Sequence, residues 1–315
     1  MMSQEIAHVG VDVAKAMLDV SVLGQPKTWR VNNSPAGWRT LIARLRALEC
    51  PVVVGIEPSG GYERGPVRAL IEAGLEVRWT DPARVRALAR ALGAPAKTDA
   101  IDATMIARFV AQAEGRPVEL DDERQRLKDL LAARQASGQI ARQLTAQALA
   151  LDHAPARAAL EDLAAAAARE ARSLTRQAMA LLKDNPGLKA IWVRLQTAPG
   201  VGPLVAAELI AHMPELGRVG GKAIAKLAGL APFIRKSGAW TGRAVCSGGR
   251  ARPRQALYMA AVASLRAKLG PRPVFQRLIQ AGKPVKLALT ACMRRLLVTL
   301  NAMVRDSTNW RHATA

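Results

Sequence analysis

The chain opens with short apolar runs that alternate with stretches whose apolar residues recur every three to four positions. IAHVGVDVA, from Ile6, is an apolar run of buried-strand length, and MLDVSVLG and KTWRVNN follow as two further strands joined by short turns. PAGWRTLIARLRAL repeats at helical spacing, with Ser34 placed to cap it and Pro35 at its first position. PVVVGIEP predicts a fourth strand, buried like the first; YERGPVRALIEAG predicts a helix closed by Gly74; LEVRWTDP predicts a fifth strand. ARVRALARALG and TDAIDATMIARFVAQA then read as helices. Three strands in an antiparallel meander followed by crossover units predict a mixed sheet with helices on its faces. That is the strand order of the ribonuclease H-like fold. GVDVAK lacks the Gly-x-Gly-x-x-Gly fingerprint of a dinucleotide-binding turn.

Residues 118–183 change character to two long helical stretches with a break at His153–Pro155, Asp121 standing as the cap of the first. They predict a helical hairpin or coiled-coil arm, a spacer or a self-association element. From Ile191 the chain reads as a small, mostly helical domain. In LQTAPGVGPLVAAELIA, Gly200 and Gly202 flank Val201, and a helix begins near Pro203. Such a turn exposes backbone N–H groups suited to a phosphate and is similar to a helix-hairpin-helix DNA-binding turn; an ordinary turn between core helices is the alternative. RQALYMAAVASLRAKL and VKLALTACMRRLLVTLNAMV predict packing helices, and STNWRHATA a disordered end. The expected class is therefore α/β plus α. The expected domains are 1–115, 116–190 and 191–315.

Charge sharpens this division. Residues 1–115 carry 14 Lys and Arg against 12 Asp and Glu, residues 116–190 carry 12 against 10, and residues 191–315 carry 20 against 3. Almost the whole formal net charge of +21 thus sits in the last segment. With no run of about 18 uncharged apolar residues and no signal-peptide pattern, the expected polyanion partner is nucleic acid and no membrane is expected. Cys50, Cys246 and Cys292 have neither zinc nor disulfide spacing, which suits a reducing cytoplasm.

The acids of the first domain are the candidate chemistry. Asp12 ends the first buried strand and Glu57 the fourth, which the predicted sheet makes neighbours. Buried carboxylates are costly unless paired or bound to a cation. Asp99 and Asp102 share a helical face despite like-charge repulsion of roughly 0.2–0.5 kcal/mol. Four hard oxygen donors converging on one place suit two Mg²⁺ ions, with Mn²⁺ as the alternative, and such pairs serve phosphoryl transfer. Taken singly, Asp99 is also a plausible helix cap, and Asp19 is expected to face solvent.

HVGVDVAKAMLDVSV, VVVGIEPSGGY, DPARVRALARALGAPAKTDAIDATMIARF and LQTAPGVGPLVAAELIA together resemble the transposases of the insertion sequence one-ten family, along nearly the whole chain. The resemblance implies a RuvC-like first domain, a coiled-coil arm, and a second transposase domain that supplies a serine nucleophile. It places the family's metal-binding acids on Asp12, Glu57, Asp99 and Asp102 and its serine on Ser237, with Ser247 as the alternative. It also implies DNA and a noncoding bridge RNA as partners, a dimer or tetramer, and a covalent protein–DNA intermediate. Around Ser237, Arg235, Lys236, Arg243, Arg250, Arg252 and Arg254 form an acid-free cationic stretch that reads as phosphate contact, and Trp240 is placed to stack on a base or to pack. Its glycines read as a mobile loop. A hydrolytic Holliday-junction nuclease using the same acids, and a decayed nucleic-acid binder, are the other readings.

Overall fold

The computed structural model describes residues 6–93, 99–113, 115–233, 236–237, 240–241, 245–267 and 270–310, with side chains at 99–101, 233, 236–237 and 240–241 outside the description. The chain forms two compact units, Met1–Leu120 and Asp121–Ala315.

The first unit runs β1 (Ala7–Val13), β2 (Met17–Val22), β3 (Trp29–Asn32), α1 (Pro35–Arg46), β4 (Val52–Ile56), α2 (Arg64–Glu72), β5 (Glu76–Trp79), α3 (Pro82–Ala91), α4 (Asp99–Ala113) and β6 (Arg116–Pro117). The sheet order is β3-β2-β1-β4-β5-β6. The first three strands pair antiparallel, while β4 and β5 are each parallel to the preceding neighbour in the sheet. This is the predicted ribonuclease H-like order, with the two-residue β6 added antiparallel at its edge. Ser34 caps α1 as expected, its hydroxyl accepting from the Gly37 N–H at 3.3 Å.

Strand alternation divides the sheet into two unlike faces. Val9, Val11, Leu18, Val20, Val54 and Ile56, all fully buried, share one face with Val31 and Val77 and pack under Leu41 and Leu45 of α1 and Val67 and Leu70 of α2. Each such side chain contributes on the order of 1.5–3 kcal/mol by leaving water. The other face carries Gly10, Asp12, Asp19, Ser21 and Gly55, and α4 lies on it. A Cβ on Gly10 would fall 2.0 Å from the Ala103 carbonyl oxygen and 2.4 Å from the Ala107 nitrogen; one on Gly55 would meet Ile106 and Val110 side chains at 3.0–3.1 Å. The two glycines, paired in register, therefore form the seat of α4. Ser21 completes it, its hydroxyl 3.1 Å from that of Thr104.

Gly10→Ala is accordingly expected to force α4 off the sheet and cost about 3 kcal/mol. Gly55→Ala meets only movable side chains and should cost about 1 kcal/mol. Urea unfolding of both variants checks the order; similar losses would mean that α4 does not rest on Gly10.

The second unit begins with α5 (Asp122–Ala148) and α6 (Ala154–Asp184), packed side by side, and continues through α7 (Pro186–Gln196), α8 (Pro203–His212) and α9 (Gly221–Leu227). Four two-residue strands follow: β7 (Pro232–Phe233), β8 (Lys236–Ser237), β9 (Trp240–Thr241) and β10 (Val245–Cys246). It closes with α10 (Ala251–Arg266), α11 (Arg272–Gln280) and α12 (Val285–Arg305). Asp121 caps α5 and His153 caps α6 at the predicted break. Leu127 and Leu131 of α5 and Ala178 and Leu182 of α6 join the core formed by α7–α10 and α12, so the base of the hairpin is built into this unit.

α12 is long and apolar enough to cross a membrane by length and composition. Its Cys292, Met293, Leu296, Leu297, Leu300 and Met303 are buried in the unit's core, which accounts for its apolar character. The end expected to be disordered docks as far as Trp310, whose N–H donates to the Thr197 hydroxyl at 2.9 Å.

Candidate active site

Asp12 and Glu57 meet because of register. Val11 pairs with Ile56 across the parallel β1–β4 ladder, so the next positions, Asp12 still within β1 and Glu57 just beyond β4, lie side by side. Each lies two residues beyond a seat glycine and hence on the face that α4 covers. α4 descends over the strands from its first turn, which carries Asp99 and Asp102. Burial pushes the Glu57 pKa up; the charge of Asp12 pushes it further, Arg86 draws it back, and Asp102 and Asp81 raise it again. Two of the other predicted acids, Asp12 and Asp102, thus act on Glu57 through space. Asp99 opens α4, but its side chain lies outside the described residues.

This donor set suits a divalent cation in kind: hard carboxylate oxygens whose repulsion positive charge would offset. Among the described residues, which include the side chains of Asp12, Glu57 and Asp102, no three His, Cys, Asp or Glu side chains gather closely enough to hold a metal.

Asp19 corrects its expectation of solvent exposure. It pairs with Asp12 across β1–β2 on the same face, is only 7% exposed, and accepts from Arg30 Nε at 2.9 Å. A fifth acid therefore borders the site, with its charge partly offset by an arginine. A strand-interior Asp pointing to the side covered by a helix looks, in sequence, like one pointing to water.

The loop after Glu57 is also ordered by a carboxylate. Glu63, 8% exposed, accepts from the Ser59 N–H at 3.0 Å, the Ser59 hydroxyl at 2.8 Å and the Gly61 N–H at 2.8 Å. Burial pushes its pKa up, but these hydrogen bonds outweigh that and hold it below the usual carboxylate range.

In the second unit, Ser237 lies in β8, paired with Trp240 of β9, and Lys236 pairs with Thr241. Outside them, Phe233 pairs with Val245 and Pro232 with Cys246. Within the segment expected to be a loop, the described residues thus form nested antiparallel pairs with Ser237 in the inner one, while Gly238 and Gly242 lie outside the described residues. Ser247 is exposed just beyond it. Arg235 and Arg243 lie outside the described residues, as do the side chains of Lys236, Ser237 and Trp240.

Three of the expected phosphate-contacting arginines have protein partners. Arg250 forms a bidentate pair with Glu215, Nη1 to Oε2 at 2.6 Å and Nη2 to Oε1 at 2.7 Å, and Nη1 also reaches the His212 carbonyl at 2.8 Å. Arg252 lies 3.9 Å from Glu208 and donates to the Leu131 carbonyl at 3.4 Å. Arg254 donates to the Gly248 carbonyl at 2.7 Å. Arg250 and Arg252 thereby fasten the start of α10, where the serine-bearing segment ends, to α8 and α5.

Gly200 has a packing role as well. At φ +78°, a Cβ there would fall 2.2 Å from the Ala260 carbonyl of α10. Gly202 precedes α8 with open space around it and no side-chain cap. One turn inside α8, Glu208 and His212 approach to 3.5 Å. This contact is an ion pair only if His212 is protonated. Burial, then Arg252, Lys128 and Arg250, push its pKa down to about 4. Burial pushes Glu208 up, against Arg252 and Arg134. At neutral pH, then, His212 is an uncharged imidazole beside a carboxyl that resists ionisation. His212 contributes stability above its unfolded value of 6.5, and this is lost as pH falls toward about 4.

The first unit thus has the strand order of a ribonuclease H-like sheet, with Asp12 and Glu57 side by side at its two central strands and Asp102 of α4 close enough to act on Glu57. Residues 9–154 match the DEDD transposase model of IS110, and residues 193–277 match the model described as Transposase IS116/IS110/IS902 family. The chain belongs to the IS110 family of transposases and is a DNA transposase or recombinase. The pilin gene-inverting protein of Moraxella bovis is 27% identical over 317 residues, covering 95% of this chain and 96% of its own. That of Moraxella lacunata is similar to the same degree over the same span. Two solved structures of Thermus thermophilus RuvC, one in complex with a Holliday junction substrate, are 18% and 20% identical. They cover 36% of this chain and 98–99% of theirs, with a TM-score of 0.28.

Proposed function

We propose that this transposase cuts and rejoins the DNA strands of its own insertion sequence by serine attack. The observation that carries the reading is the adjacency of Asp12 and Glu57 beneath the acidic first turn of α4. Asp12, Glu57, Asp99 and Asp102 would hold Mg²⁺, or Mn²⁺ in its place. Such ions supply positive charge to phosphate oxygens during displacement.

Ser237 Oγ attacks the scissile phosphorus and gives up its proton. The new serine–phosphate ester replaces the P–O bond to the departing strand, whose oxygen leaves to take a proton. Bond energy is conserved for the reverse step, in which another strand end displaces the serine. An isolated serine hydroxyl is a weak nucleophile, so the reaction requires Ser237 and the acids to act together, within one chain or between copies.

The cationic second unit supports a DNA partner, and relatives named for inverting a gene support strand exchange rather than simple cutting. With Arg250 and Arg252 engaged by glutamates, Arg254, Lys236, Arg235 and Arg243 are the preferred phosphate contacts. Gly200 and Gly202 would bring the N–H groups of α8 to the backbone. Family membership supports a noncoding bridge RNA as guide and assembly through the α5–α6 hairpin into a dimer or tetramer.

A strand-exchange assay tests this reading: junction DNA, a target duplex, Mg²⁺, and RNA transcribed from the element's flanks. Joined product is expected with the RNA and at least about tenfold less without it. Equal product without RNA would remove the guide from the account, and cut but unjoined DNA would favour the hydrolytic nuclease.

A further inference from the structure

Two turns lead away from the strand-end acids: the β1–β2 turn after Asp12 and the loop after Glu57. One amide side chain spans both. Asn33 Nδ2 donates to the Ala14 carbonyl at 3.0 Å and to the Tyr62 carbonyl at 3.1 Å. Its Oδ1 accepts from Trp38 Nε1 at 2.8 Å. An indole N–H only donates, so this bond fixes which end of the amide is oxygen and points both amide protons at the two turns. The Asn33 backbone N–H donates to the Ala16 carbonyl at 2.8 Å, anchoring the residue to the first turn a second time.

Trp38 is fixed in turn. A Cβ on Gly65, at the start of α2, would lie 2.2 Å from its ring. Within the second loop, Glu63 already gathers Ser59 and Gly61. The loop is therefore held together by its own hydrogen bonds, and Asn33 ties it to the turn after Asp12. Partly solvated hydrogen bonds add little net stability. What these contribute is geometry: Ala14 is two residues from one acid and Tyr62 five from the other.

We propose that Asn33, oriented by Trp38, is a positioning residue that sets the separation of the Asp12 and Glu57 carboxylates. This inference rests on the reading that those acids bind a divalent cation. Groups that support metal ligands from outside typically change metal affinity by about 10–100-fold.

The test is Mn²⁺ binding to the full chain, followed by the loss of the free-ion electron paramagnetic resonance signal, with thermal melting in parallel. Wild type should bind Mn²⁺, and Asp12→Asn should lose that binding. Asn33→Ala should bind about tenfold more weakly while melting within a few degrees of wild type. Trp38→Phe keeps both amide donors but frees their orientation, and should fall between the two. If Asn33→Ala does not fold, Trp38→Phe carries the comparison. Wild-type affinity in both variants, with Asp12→Asn still defective, would overturn the positioning role alone. No Asp12-dependent binding in wild type would overturn the cation-site reading, and this inference with it.

Discussion

Glu57→Gln is expected to lower DNA strand exchange by about 10³-fold or more, the scale on which transition-state charge stabilisation is lost, while the protein melts no lower than wild type in EDTA. The two effects have one cause. Burial and the charges of Asp12, Asp102 and Asp81 all disfavour an ionised Glu57, with Arg86 opposing them. In the absence of cation, the neutral isostere removes repulsion that the folded unit otherwise bears. The charge that costs stability is the charge a cation needs.

Adding Mg²⁺ should therefore raise the melting temperature of wild type and leave that of Glu57→Gln nearly unchanged. An ordinary structural glutamate would behave in the opposite way, losing stability on substitution and showing no interaction with Mg²⁺. A variant that exchanges strands at the wild-type rate, or melts several degrees lower in EDTA, would remove Glu57 from the site.

Much of this architecture can be read along the chain. Buried parallel strands appear as continuous Val and Ile runs, and the meander, crossover and helix order leaves few ways to build the sheet. Asp12 and Glu57 stand out because each ends such a run. Their adjacency follows from strand order alone. Which face of the sheet is covered does not. Gly10 and Gly55 look like weak points in strands until α4 is seen resting on them. Asp19 looks like an outward residue until its side of β2 proves to be the covered one.

The cations of the second unit mislead for a related reason. Arg250 and Arg252 lie in an acid-free stretch, so linear charge counting assigns them to phosphate. Their partners are Glu215, 35 residues earlier, and Glu208 on α8. Residues 191–315 contain only three acids, and two of them are used here. The nested strands around Ser237 were equally hard to foresee, because two-residue ladders are too short to establish an alternating pattern.

Ser237→Ala is expected to have the other large effect. Without its hydroxyl no ester to DNA can form, and conserved bond energy, rather than cutting alone, separates exchange from hydrolysis. A neighbouring hydroxyl provides the control: Ser247 lies just beyond β10 of the outer strand pair, exposed, and Ser247→Ala should retain the reaction.

The most direct measurement is a denaturing gel of the full chain incubated with Mg²⁺, end-labelled junction DNA of its element and RNA from the element's flanks. Wild type should give a labelled band at the mass of protein plus DNA strand, Ser247→Ala the same band, and Ser237→Ala none. An adduct that survives Ser237→Ala, or DNA cut by wild type with no adduct at all, would contradict the serine-transfer account.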